Sequence, residues 1–253
     1  MTPIVIGTLV FVCTLGGALA GMQLRARLPG HHLSDESKET VKLGVGVIAT
    51  MTALVLGLVT ASAKNAFDTM DTTVKQSAAD ILTFDRVLAR YGPETAEIRG
   101  ALKEALGHRI EMTWPEDSSR AALLDPSQVL KVVETMADGI RRLSPQNDVQ
   151  RALQARAVDL SETLLEARWA GLGGGGTSIP PLFFAVLLFW LTIIFMSFGL
   201  FAPRNGTVVG VLVVCALSVA GAVFLIYEMD GAFAGWLEVS ADPMRFAYSR
   251  LNQ

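Results

Sequence analysis

One face of an uncharged helical stretch carries five small residues and a lysine, spaced by three or four positions: Gly46, Thr50, Ala53, Gly57, Thr60 and Lys64. Small, weakly polar side chains leave room for water along a pore, and a lysine at its mouth favours anions. The same pattern lets membrane helices approach closely, as we expect for Gly17/Gly21 and Gly206/Gly210. The sequence therefore leaves two interpretations of this face open, an ion pathway and a packing surface.

A second group of polar residues could be offered as metal ligands. His31 and His32 are followed closely by Asp35 and Glu36. Neighbouring residues point to different sides of a chain, however, and no distant cysteine or histidine completes a ligand set. We interpret this stretch as a polar loop in which Ser34 caps the next helix, and we predict no metal site.

The sequence shows no constellation typical of an enzyme. No nucleophile stands with a base, His108 is isolated on an amphipathic helix, and the glycines at 173–176 lack the lysine of a phosphate-binding loop. No Asp, Glu, His, Lys or Arg lies inside the apolar runs, which also argues against a proton-driven transporter. We predict a protein that is not an enzyme and needs no cofactor.

Four apolar runs are long enough to cross a membrane. The hydrocarbon core is about 30 Å thick, so roughly 20 uncharged helical residues are needed to span it. The runs cover residues 4–23, 43–63, 179–203 and 205–227. Ala18-Leu19-Ala20 imitates a signal-peptide cleavage site, but no lysine or arginine precedes the first run, so we interpret it as a span.

The charges are concentrated between the second and third runs. Of the 253 residues 51% are hydrophobic and 18% charged, and residues 64–178 hold 14 Lys/Arg and 17 Asp/Glu. The other 138 residues hold only 7 of each class. This distribution predicts a soluble segment inserted into a membrane protein. With a net charge of −3 and no basic block, no nucleic-acid partner is expected.

The apolar period of the soluble segment is helical throughout. It continues from the second run without a break to Tyr91, which predicts one long helix ending at Gly92-Pro93. Three further helices follow, separated near Trp114-Pro115 and Ser144-Pro145. The predicted fold is all-α, with four transmembrane helices and a soluble helical bundle between spans two and three. The predicted segments are 1–63, 64–172, a glycine-rich linker 173–178, the hairpin 179–227 and a tail 228–253.

Positive charges near the membrane predict an orientation only by a small margin. The loops between spans one and two and between spans three and four hold five of them, and the other side holds four: Arg25, Arg27, Lys38, Lys42 and Arg204 against Lys64, Lys75, Arg168 and Arg245. The positive-inside rule then puts both short loops in the cytoplasm and the soluble segment outside.

Several stretches together resemble the bacterial bestrophin-like membrane family. They are residues 24–34, 41–44, 53–59, 197–202 and 228–235. The resemblance covers essentially the whole chain. It implies a pentameric anion channel with four spans per subunit, a pore lined by the second span, and a soluble part in the cytoplasm, which is opposite to the orientation that the charges favour.

The last stretch resembles the acidic Pro-Phe-Gly element that follows the fourth span of bestrophins. Glu228, Asp230, Phe233 and Gly235 stand in matching places, but Ala232 replaces the proline. The acidic run that binds calcium in the animal proteins is missing, and span two lacks the bulky residues of their neck. Neither the calcium site nor the gate is therefore carried over.

Two functional hypotheses follow. The first is a homo-oligomeric channel for small anions in the bacterial inner membrane, lined by the second span. The second is a non-conducting scaffold or sensor, anchored in the bilayer, whose soluble helices bind an unknown protein partner. A continuous helix from span two into the soluble segment would serve either function.

Overall fold

The computed structural model of the protein describes residues 2–29, 35–115, 126–173, 180–203, 205–233 and 235–253. The described part of the chain is 87% helical and contains no strand. Eight α-helices are described: α1 Pro3–Arg27, α2 Asp35–Tyr91, α3 Ala96–Thr113, α4 Pro126–Arg142, α5 Asp148–Gly173, α6 Pro181–Phe201, α7 Gly206–Asp230 and α8 Asp242–Arg250.

Four of these helices, α1, α2, α6 and α7, are long and apolar enough to cross a membrane. The predicted fold class is thereby confirmed, including the helical segment between spans two and three. The long helix is confirmed as well, because α2 runs unbroken for 57 residues and ends at Tyr91, directly before Gly92. With a φ of +145°, Gly92 adopts a conformation that side-chain-bearing residues rarely adopt.

The chain divides into two compact units. We call Met1–Phe67 with Thr177–Leu237 the membrane unit, and Asp68–Gly176 with Glu238–Gln253 the outer unit. Helix α2 contributes its first half to the membrane unit and its second half to the outer unit. The tail that the sequence analysis treats as one segment divides between Leu237 and Glu238.

The tightest contact in the membrane unit joins α1 and α6 through glycines. A Cβ atom added to Gly21 would overlap the carbonyl oxygen of Met196, and one added to Gly199 would overlap that of Ala18. Small residues permit this close backbone approach, which membrane helices use in place of a hydrophobic driving force.

Helices α1 and α6 run parallel to each other. Ile6 and Leu187, both near the beginnings of their helices, belong to one buried apolar cluster. At the other end, the Arg25 guanidinium donates hydrogen bonds to the carbonyl oxygens of Phe201, at 3.4 Å, and of Ala202. These carbonyl groups lie at the end of α6, where a helix lacks its own donors and favours a positive charge.

Helix α7 runs antiparallel to α1, and α2 packs against α7. Gly7, near the start of α1, faces Phe224 near the end of α7. Ala63 of α2 is fully buried and packs with Ile226 of α7. The beginnings of α1 and α6 and the ends of the α2 and α7 spans therefore lie on one side, as four alternating crossings require.

The second half of α2 packs differently from the first. It buries one complete apolar stripe in the outer unit: Val74, Ala78, Ile81, Phe84, Leu88 and Tyr91. Asp85 is also buried and accepts two hydrogen bonds from the Arg99 guanidinium of α3, at 2.6 and 3.0 Å. This hydrogen bonding raises the pKa of Arg99 further. A buried carboxylate requires such a partner because an unpaired charge in the interior is costly.

Candidate functional site

The first half of α2 has one face whose residues are exposed in the described part of the chain. All six residues of the predicted stripe are exposed: Gly46, Thr50, Ala53, Gly57, Thr60 and Lys64. A Cβ atom added to Gly46 or Gly57 would find no atom within 4 Å. The two threonines turn their hydroxyl groups inward and donate to the carbonyl oxygens of Gly46 and Leu56. The face is therefore smooth and only weakly polar.

Helix geometry divides this half of α2 into three faces. At about 100° per residue, the stripe is about 80° wide and is centred about 120° from the side that packs on α7. That packed side carries the buried Thr52 and Ala63. Between the two faces lie large, exposed apolar side chains: Leu43, Val47, Leu54 and Leu58. These suit contact with acyl chains or with another subunit, whereas the small residues suit neither a lipid surface nor any contact within the chain.

Close packing against another described helix is not found at Gly46 or Gly57 of the α2 stripe. The sequence pattern is used in that way at Gly17 and Gly21, where the structural interpretation is confirmed. For Gly206 and Gly210 in α7 the same interpretation stays a prediction, because a Cβ atom added at either position meets no other described atom within 4 Å. Spacing alone does not distinguish a packed face from an open one.

Charged residues continue the stripe beyond the uncharged part. Lys42 precedes it and Lys64 ends it, and both side chains are exposed. Asp68 follows one turn after Lys64 on the same face, and Asp71 and Lys75 follow next, joined by a 2.6 Å ion pair. The cation at position 64 therefore has a carboxylate about 6 Å further along the helix axis.

The loop after the fourth span is held by a buried carboxylate. Glu228, in the last turn of α7, is only 2% exposed. Its Oε2 accepts hydrogen bonds from the backbone N–H groups of Trp236, at 2.8 Å, and Leu237, at 3.5 Å. Gly235 makes this approach possible, because its φ is +138° and an added Cβ atom would overlap the same carboxylate.

Of the four residues that resemble the bestrophin element, the structure brings Glu228 and Gly235 into direct contact. Asp230, the last residue of α7, and Phe233, in the loop that follows, are both half-buried. No group of three potential metal ligands occurs among the described residues. The prediction that this element holds no metal stays a prediction.

The other candidate residues of the sequence analysis are dispersed. His31, His32 and the glycines at 174–176 lie outside the described residues. Asp35 begins α2 and is paired with Lys38 at 3.0 Å, and this hydrogen bond lowers the pKa of Asp35. His108 is half-buried on α3.

Comparison with known proteins establishes the family. The sequence matches the bestrophin-like domain over residues 12–244, which is nearly the whole chain. The chain belongs to the bestrophin-like family. No curated protein sequence matches this bestrophin-like protein.

Solved structures share its fold. A bacterial bestrophin homologue from Klebsiella pneumoniae superposes with a TM-score of 0.65 at 13% identity, covering 95% of both chains. A mutant form of that homologue gives a TM-score of 0.62 at 13% identity, again with 95% of both chains covered. A further mutant gives 0.56 at 15% identity, covering 98% of this chain and 96% of the other. At these identities the likeness concerns the fold alone.

Three structural features of this bestrophin-like protein were not predicted from its sequence. Arg25 was counted only as a membrane-flanking charge, yet it binds the end of α6. The buried pair of Asp85 and Arg99 had a signal, since a lone aspartate interrupts the otherwise apolar stripe of α2. For Trp236 the sequence held only a weak signal, which is that this residue directly follows a glycine in the stretch after a span.

Proposed function

We propose that the protein is a homo-oligomeric ion channel whose pore is lined by the first half of α2. The observation that carries the proposal is the exposed face of small residues on a helix long and apolar enough to span a membrane, with none of the described residues packed against Gly46 or Gly57. Lipid contact is better satisfied by the large apolar side chains beside it. A face of this kind is explained when copies of α2 surround a common axis and turn it toward water.

The dimensions of the face fit a membrane pore. From Gly46 to Lys64 the helix rises about 27 Å, close to the roughly 30 Å of a hydrocarbon core. Between Gly46 and Thr60 the stripe carries no charged residue, and the threonine hydroxyl groups remain hydrogen-bonded to the backbone. Ions would therefore cross an uncharged passage and would be selected chiefly at its charged ends.

Small anions are the proposed substrate. Lys42 and Lys64 would form rings of positive charge at the two ends of the stripe, and such rings attract anions. Asp68 would form a ring of opposite charge one turn beyond Lys64. We therefore propose a modest preference for anions rather than strict selection. The proposed location is the bacterial inner membrane.

The test is a flux measurement on the purified protein in liposomes, with chloride and potassium followed separately. Chloride flux should exceed potassium flux in the wild type. Lys64→Glu should lower the chloride-to-potassium ratio, and Asp68→Asn should raise it. Arg151→Glu is the matched control, because Arg151 is an exposed arginine of the outer unit and is not part of the stripe; the ratio should not change.

A non-conducting scaffold or sensor is the second candidate. It is favoured by the outer unit, a compact set of helices to which the sequence assigns no chemistry of its own. If folded and inserted protein passes neither ion, the channel proposal is wrong and the scaffold takes its place. Flux whose selectivity ignores both substitutions would retain the channel but remove α2 from its mouth.

A further inference from the structure

The loop after α7 presents two large apolar side chains outward. Trp236 is 85% exposed and Leu237 is 41% exposed. Tryptophan side chains are highly buried on average, so one that is almost completely exposed in a folded loop calls for a partner outside the chain. Channel formation by α2 does not account for these residues.

The backbone of this loop is fixed rather than loosely attached. The Glu228 carboxylate accepts the Trp236 and Leu237 N–H groups, and Gly235 provides the conformation that brings them there. A buried carboxylate is costly unless it is hydrogen-bonded, so the contact stabilises one position of the loop. The Glu228 side chain therefore holds the backbone of Trp236 close to the last turn of α7.

That last turn lies where two spans end together. Tyr227, next to Glu228, packs edge-on against Phe184 with ring centres 5.6 Å apart. Phe184 is in the first turn of α6, where Leu182 and Phe183 are apolar and exposed. The Glu228 carboxylate thus lies at the level at which the exposed apolar surface of α6 begins and α7 ends.

We propose that Trp236 and Leu237 are a lipid-interface anchor, positioned by Glu228 so that the indole ring lies at the headgroup level of the bilayer. Tryptophan is enriched at this depth because its ring is apolar and its N–H group is polar. Lipid is the partner that fits, because Leu182 and Phe183 at the same level are exposed apolar residues of a helix long and apolar enough to span a membrane. The anchor fixes the point at which the chain leaves the membrane for the outer unit.

The test compares the tryptophan emission of wild-type protein with that of Trp236→Phe in vesicles of brominated phosphatidylcholine. Subtracting the two spectra isolates Trp236 from the other three tryptophans. Bromine near the headgroup end of the acyl chains should quench the difference emission strongly. Bromine near the chain ends, and aqueous iodide, should quench it weakly. Trp236→Phe should elute from size-exclusion chromatography as the wild type does.

The positioning role of Glu228 is tested in the same assay. Glu228→Ala removes the acceptor and should reduce the quenching by bromine near the headgroups, whereas Glu228→Gln keeps an acceptor oxygen and should retain most of it. Quenching of Trp236 by iodide alone would place the loop in water and overturn the proposal. Quenching by neither agent would place Trp236 against a second copy of the chain, and the anchor would again be wrong.

Discussion

The glycines of α1 and those of α2 share a spacing but have opposite surroundings. Gly17 and Gly21 lie against the backbone of α6, so closely that no side chain fits between the helices. Gly46 and Gly57 face open space. Both pairs are in membrane-spanning helices of the same unit, so the difference does not come from the environment of the helix. It comes from whether the chain itself supplies the partner.

This difference separates two uses of small residues in one protein. In α1 they shorten the distance between helices and stabilise the fold of a single subunit. In α2 they keep a surface narrow and uncrowded, and any benefit arises only when something outside the chain, water or another subunit, occupies the space. A larger side chain at an α1 glycine should therefore reduce the amount of folded protein, whereas a larger side chain at an α2 glycine should reduce ion flux.

The largest effect is expected for Gly21→Leu. The added side chain would collide with the Met196 carbonyl group, which belongs to a helix backbone and has no room to move. Overpacking in a core typically costs about 1–3 kcal/mol, and a backbone collision costs more. We expect little folded protein, measured as the yield of the monodisperse peak in detergent chromatography. Gly16→Leu is the control, since Gly16 meets no atom within 4 Å; equal loss in both variants would contradict the comparison.

A loss of conduction without loss of fold is expected for Gly57→Leu. The substitution adds bulk to the proposed pore face where the chain offers nothing to collide with. Its apparent melting temperature should stay near that of the wild type, because substitutions away from packed groups usually change stability by less than about 0.5 kcal/mol. Ion flux in liposomes should fall to a small fraction.

The matched control for Gly57→Leu is Ser62→Leu, which adds similar bulk to an exposed position about 140° around the same helix. Its flux should remain close to that of the wild type. If Gly57→Leu instead dissociates the oligomer, the α2 face is a contact between subunits. The stripe would then pack helices together, as in α1, but between chains.

Much of the fold was predictable because it depends on properties local to the sequence. Hydrophobic length gives the four spans, and Gly92-Pro93 gives the end of α2, since that glycine needs a positive φ and the proline lacks an N–H group. The unbroken 57-residue helix followed from the absence of any breaker between span and soluble segment.

The candidate site was less predictable because it depends on which surfaces meet. The glycine pairs at 17/21 and 206/210 carry the same local pattern, yet among the described residues only the first pair lies against another helix. The hydrogen bonds from Trp236 and Leu237 to Glu228 span eight and nine residues through an irregular loop, a geometry that no periodicity encodes. The resemblance to bestrophins indicated that residues 228–235 matter, but it gave no contact between them.

The smallest effect is expected for Gly210→Ala. This substitution tests whether Gly210, like the α2 glycines, has no packing partner. Gly210 is in the interior of α7 and a Cβ atom there would meet nothing in the chain. Alanine favours a helix over glycine by about 0.8–1 kcal/mol, so the apparent melting temperature in detergent should rise slightly, while Gly199→Ala, on the packed α6 face, should lower it. A fall in the melting temperature of Gly210→Ala, together with dissociation of the oligomer, would show that α7 packs against a neighbouring subunit. Small residues would then serve close packing within the chain at α1 and between chains at α7, and only the α2 face would be left for water.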